Sequence, residues 1–105
     1  MATQAHRIKL HEELCEILGS RYVYFNPDTN VRMKFPCIVY NTSVGRAHSA
    51  DNQNYLFCDS YNVTVVDPDP DSQIPDAVLK HFPKIRRGSP FIADGLHHSP
   101  FVLYY

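Results

Sequence analysis

The chain has 105 residues, room for one domain with an ordinary core, and its 44% apolar content, 20% charged content and formal charge of −1 give no overall pull toward nucleic acid or an anionic membrane surface. No segment approaches the roughly 18 apolar residues of a membrane span, and no positive region followed by an apolar run marks a leader. A single domain over residues 1–105, cytosolic when made, is expected.

Leu10, Leu14, Ile17 and Leu18 recur at i, i+4, i+7 and i+8, with Arg7, Lys9, Glu12, Glu13 and Glu16 on the remaining face. This spacing predicts an amphipathic helix over residues 4–18, capped by Thr3 and stopped by Gly19. Tyr22-Val-Tyr-Phe25 reads as a short strand ended by the turn Asn26-Pro27-Asp28. Phe35-Pro-Cys-Ile-Val-Tyr40 is a second strand, with Pro36 at its start or on an edge because it lacks a ladder donor. Residues 41–53 are polar and form a long excursion before a third, longest strand over residues 55–66.

Asp67-Pro-Asp-Pro-Asp-Ser72 breaks that strand, and Ser72 or Asp71 is expected to cap a second helix running to about Phe82, with Pro75 in its first turn and Ile74, Val78 and Phe82 inward. Residues 84–90 read as a basic turn, Phe91-Ile-Ala93 as a short strand, Asp94-Gly95 as a hairpin pair, and His97-His98 as a turn before a closing strand over residues 99–105. Phe101-Val-Leu-Tyr-Tyr105 carries no polar tail, so this end is expected to lie within a sheet. The order α-β-β-β-α-β-β argues for an α+β fold: a mainly antiparallel four- to five-stranded sheet with two helices packed on one face.

Residues able to carry chemistry are present without a matching pattern. Asp67, Asp69 and Asp71 match the first ligands of an EF-hand loop, but Ser72 and Val78 stand where its Gly and Glu belong, so a stiff connector is the better reading. His6, His11, His48, His81, His97 and His98 show no metal-ligand spacing. Cys15, Cys37 and Cys58 are odd in number and sit in apolar or strand-like surroundings, which favours reduced, buried thiols. A Cys-His nucleophilic pair stays open in principle, since such partners meet in space, but no nucleophile turn accompanies one. Lys80, Lys84, Arg86 and Arg87 form the one basic cluster, short for a nucleic-acid surface. Seven Tyr and six Phe exceed what so small a core hides, which points to an interaction protein.

Several segments resemble tail terminator proteins of long-tailed bacteriophages: Glu16-Ile-Leu-Gly-Ser-Arg-Tyr-Val-Tyr-Phe25, Met33-Lys-Phe-Pro-Cys-Ile-Val-Tyr40, Tyr61-Asn-Val-Thr-Val-Val-Asp67, Pro70-Asp-Ser-Gln-Ile-Pro75, Ala93-Asp94-Gly95-Leu96-His97 and Phe101-Val-Leu-Tyr-Tyr105. The likeness spans nearly the whole chain, and differs at Ser43-Val-Gly-Arg-Ala-His-Ser49, where relatives keep a mixed charged loop. It implies a non-enzymatic virion protein, without cofactor or metal, that is assembled in the host cytoplasm and sits at the head-tail junction. Six copies would form a ring that caps the tail tube protein, ends its polymerisation and presents a face to the neck or head-completion protein, while DNA passes through the hole without sequence-specific binding. Arg46, His48 and Asn52 in the long excursion, with Arg86 and Arg87, are the expected partner contacts. A neck or head-closure connector is the nearest alternative, followed by a small nucleic-acid-binding module and a small hydrolase.

Overall fold

A computed structural model describes residues 4–28, 30–42 and 60–105. The first helix, α1 (Gln4–Leu18), has the expected bounds. Leu10 and Leu14 are fully buried, and Ile17 and Leu18 pack beside them. Gly19 adopts φ +82° and donates its N–H to the Cys15 carbonyl at 2.8 Å, a left-handed stop that glycine takes without steric cost.

Among the described residues there follow β1 (Val23–Phe25), β2 (Cys37–Thr42), β3 (Ser60–Asp67), α2 (Ile74–His81), β4 (Ile85–Arg87), β5 (Phe91–Ala93) and β6 (Leu96–Tyr104). The sheet order is β1-β2-β3-β6-β4, with β5 also paired to β6. β1 and β2 run parallel, and every other pairing is antiparallel. The fold is therefore α+β with two helices and a mostly antiparallel sheet, of six strands rather than the expected four to five.

The extra strand is β4, where a basic turn was expected. Ile85, Arg86 and Arg87 pair with Leu103, Val102 and Phe101, so the long neighbour β6 imposes strand geometry on residues with little apolar alternation of their own. A second correction concerns His97 and His98. They are strand residues in β6, because Asp94 (φ +54°) and Gly95 (φ +74°) complete the turn alone. The third strand is described from Ser60 onward, and the expected residues 55–59, Cys58 among them, lie outside the described residues.

Helix α2 also starts differently. Its N-cap is Gln73, which makes no side-chain cap bond, while Ser72 Oγ accepts the Ile74 N–H at 3.3 Å. Pro75 sits in the first turn, where its missing N–H has no intrahelical partner to lose.

Alternate strand positions build the core. Ile38 and Tyr40 of β2, Tyr61, Val63 and Val65 of β3, and Phe101 and Leu103 of β6 join Leu10 and Leu14 of α1 and Val78 of α2 in one buried cluster with Phe82. Each fully buried side chain of this size stabilises the fold by about 1.5–3 kcal/mol. Tyr40 is the hub: its ring centroid lies 5.0 Å from Phe25, 5.7 Å from His11 and 6.2 Å from Tyr61, and its hydroxyl is hydrogen-bonded to His11 Nδ1 at 2.8 Å. The buried hydroxyl thus keeps a partner.

Candidate docking interface

The β5–β6 hairpin presents the most exposed apolar side chains of the sheet. Phe91 is 51% and Ile92 66% exposed. Phe91 pairs with His98 across the ladder, and the two rings stack with centroids 4.6 Å apart and planes inclined by 11°. Ile92 pairs with His97 and so points to the other face of the sheet.

Beside Phe91, on the face away from the helices, runs a groove of about 390 Å³. Val39, Thr64 and Val66 lie along it, and Met33 and Phe35 reach it from the connection between β1 and β2. Phe35 is itself 38% exposed. A groove bordered by two exposed aromatic rings suits an apolar protein surface.

Arg86 and Arg87 are exposed on β4, along the same edge of β6 as Phe91. Arg86 pairs with Val102 and shares its face, away from the core. Arg87 lies on the helix side, with its guanidinium carbon 5.9 Å from the Phe101 ring centroid and Nη1 3.6 Å from Asp76 Oδ1. An exposed pair of this kind adds little to stability. The other expected contacts, Arg46, His48 and Asn52, lie outside the described residues.

On the helix side of the same edge, Asp67 and Ser99, the two buried polar residues among those described, line a second cavity of about 360 Å³ with His97, Arg87 and Ile92. The acidic connector is organised by its own backbone. Asp67 Oδ1 accepts the Asp69 N–H at 2.8 Å, and Asp69 Oδ1 accepts the Asp71 N–H at 2.9 Å. Consecutive side-chain turns of this type stiffen a strand-to-helix link.

Among the described residues, one candidate Cys-His pair is held for structure. His11 and Cys15 stand one turn apart on α1, but His11 is committed to Tyr40, and burial, reinforced by Arg7, lowers its pKa. Burial pushes the Cys15 thiol up, and burial together with Asp67 pushes Cys37 up to about 11. Neither thiol carries the thiolate character that nucleophilic attack needs.

Glu13 fastens both helices to the end of β6. Its Oε1 accepts from His81 Nε2 at 2.8 Å, and its Oε2 accepts from the Tyr105 hydroxyl. Burial alone would raise the Glu13 carboxyl, but these two bonds outweigh it and hold the group below its ordinary value. Burial and the Glu13 carboxylate raise the Tyr105 phenol well above its own.

Sequence reasoning found Arg86 and Arg87 but missed Phe91 and Ile92 as surface residues. The available signal was Asp94-Gly95, since a two-residue hairpin turn puts residues 91–93 beside β6. No described helix is long and apolar enough to cross a membrane. No family model, no curated protein and no solved structure matches the chain.

Proposed function

We propose that this chain is a structural, non-enzymatic virion protein that caps the tail tube of a long-tailed bacteriophage as a ring, six copies in all. It ends tube polymerisation and gives the neck a surface to join. The observation that carries this reading is the exposed Phe91–Ile92 tip beside Arg86 and Arg87, since aromatic, apolar and arginine side chains together are the chemistry of protein docking surfaces. The resemblance of the strand and connector segments to tail terminators supplies the context. A ring is built from head-to-tail contacts, which need two different complementary patches on each protomer.

On this reading the ring fits the tube end without re-presenting the acceptor face of the tube, so growth stops there. DNA passes through the hole, and Arg46, His48 and Asn52 join Arg86 and Arg87 as partner contacts. Electron microscopy of a lysate lacking the protein tests the reading: filled heads with overlong, unattached tails are expected. Tails of normal length would refute termination, and if those tails are also unattached, the protein is a neck connector instead.

A further inference from the structure

The two central strands change character at the same end. On the helix side of β3, Tyr61, Val63 and Val65 belong to the core and the next position is Asp67. On the same side of β6, Leu103 and Phe101 belong to it and the next positions are Ser99 and His97. Asp67 stands opposite His97 and Val65 opposite Ser99, so an acid, an imidazole and a hydroxyl share one patch in the cavity of about 360 Å³. Asp67 is 7% and Ser99 9% exposed. The connector turn uses Oδ1 of Asp67, which accepts the Asp69 N–H. Among the described residues Asp67 Oδ2 and the Ser99 hydroxyl have no hydrogen-bond partner, yet no side-chain oxygen sealed from solvent lacks one, so both atoms open onto the cavity.

We propose that this cavity binds a primary alkylammonium group, held between Asp67 Oδ2 and the Ser99 hydroxyl, with the alkyl chain against the proline rings of the wall. Asp67 and Ser99 are diagonal neighbours across the ladder, about 7 Å apart. One nitrogen at about 2.9 Å from each oxygen closes that gap. The unprotonated His97 ring, opposite Asp67, offers a third acceptor, which matches the three donors of an ammonium. Pro70, Pro75 and Pro90 border the cavity with rigid apolar surface and bring no backbone donor to compete. A guanidinium fits less well, because its fork takes both oxygens of a carboxylate and Asp67 Oδ1 is already committed to the connector.

An anion is a poorer occupant still. Arg87 also lines the cavity, but its side chain is 42% exposed and its Nη1 lies 3.6 Å from Asp76 Oδ1. Two carboxylates, Asp67 and Asp69, line the same space, and the more buried of them has the free oxygen. Like charges brought this close repel, whereas a cation is attracted to both acids. Lysine side chains of a protein and free alkylamines carry the same ammonium group. The inference goes beyond the capping reading and does not depend on it.

The test is a titration of the isotope-labelled full chain with butylammonium chloride at neutral pH and constant ionic strength, followed by NMR. Saturable shifts of the Asp67, His97 and Ser99 amides are expected at millimolar concentration, with butanol and butyrate binding at least about tenfold more weakly. Asp67→Asn, which keeps Oδ1 for the connector turn, should weaken butylammonium binding by about tenfold, and Ser99→Ala by about threefold. No saturable shift at these residues, equal binding of butanol, a preference for butyrate, or unchanged affinity in Ser99→Ala would overturn the proposal. If thermal melts show that Asp67→Asn does not fold, Ser99→Ala and the butanol comparison still decide. A blocked lysine, Nα-acetyl-lysine methylamide, separates the two sources of the group. Tighter binding than butylammonium assigns the site to a lysine side chain, and equal or weaker binding assigns it to a free alkylamine.

Discussion

Strand β6 has two sides, and they are built differently. Toward β3 it makes one unbroken antiparallel ladder, from Ser60 opposite Tyr104 to Asp67 opposite His97. Away from β3 it meets two strands of three residues each, β4 and β5, with Gly88-Ser89-Pro90 between them. The ladder side contributes Val63, Val65, Phe101 and Leu103 to the core. The interrupted side exposes Arg86, Arg87, Phe91 and Ile92. Continuous pairing concentrates stability, and a broken edge releases side chains for recognition.

The sharpest way to break this contrast is to empty the ladder side. Phe101→Ala should cost about 3–5 kcal/mol, a large part of the stability of a small domain, read as a lower midpoint in urea. A midpoint near that of the parent would show that the core does not depend on β6. Next in size is the hairpin turn that carries the interrupted side. Gly95 sits at φ +74° with open space around it, so Gly95→Ala suffers backbone strain alone, about 1–2 kcal/mol.

The helix clasp responds to acid. Glu13 is depressed in the fold, so its contribution is present above its ordinary value of 4.5 and is lost as pH falls through the folded value. His11 is also depressed, so its contribution is present above 6.5 and fades below it. The melting temperature should therefore decline gently below pH 6.5 and more steeply below 4.5. Glu13→Gln should melt lower at neutral pH and converge with the parent in acid; parallel curves would remove Glu13 from the account.

The smallest stability effect is expected at the recognition edge. Arg86→Glu and Ile92→Ser should each change unfolding stability by no more than about 0.5 kcal/mol, because both side chains are already in water. A loss comparable to that of Phe101→Ala would mean that the edge belongs to the core after all.

Local pattern made some elements legible and left others hidden. Helix α1 was readable because Leu10, Leu14, Ile17 and Leu18 repeat with the helical period and Gly19 ends it. In β4, Ile85-Arg86-Arg87 carries no such rhythm, and only the partner strand makes it extended. His97 and His98 looked like a turn for their polarity, yet a ladder accepts any side chain that finds room on its face. The parallel pairing of β1 with β2 lies beyond local pattern, since direction is decided by where the connection crosses. At the candidate site, charge marked Arg86 and Arg87, while Phe91 and Ile92 resemble core residues until the hairpin places them at an edge.

The Asp94-Gly95 turn also acts as an aiming device. Side chains alternate along a strand, so a slip of one residue in this hairpin would trade Phe91 and Ile92 between the two faces. Phe91 would leave the His98 ring and the groove, and an aliphatic chain would stand in its place. Two dihedral angles of opposite sign to those around them thus decide which chemistry each face of the molecule displays.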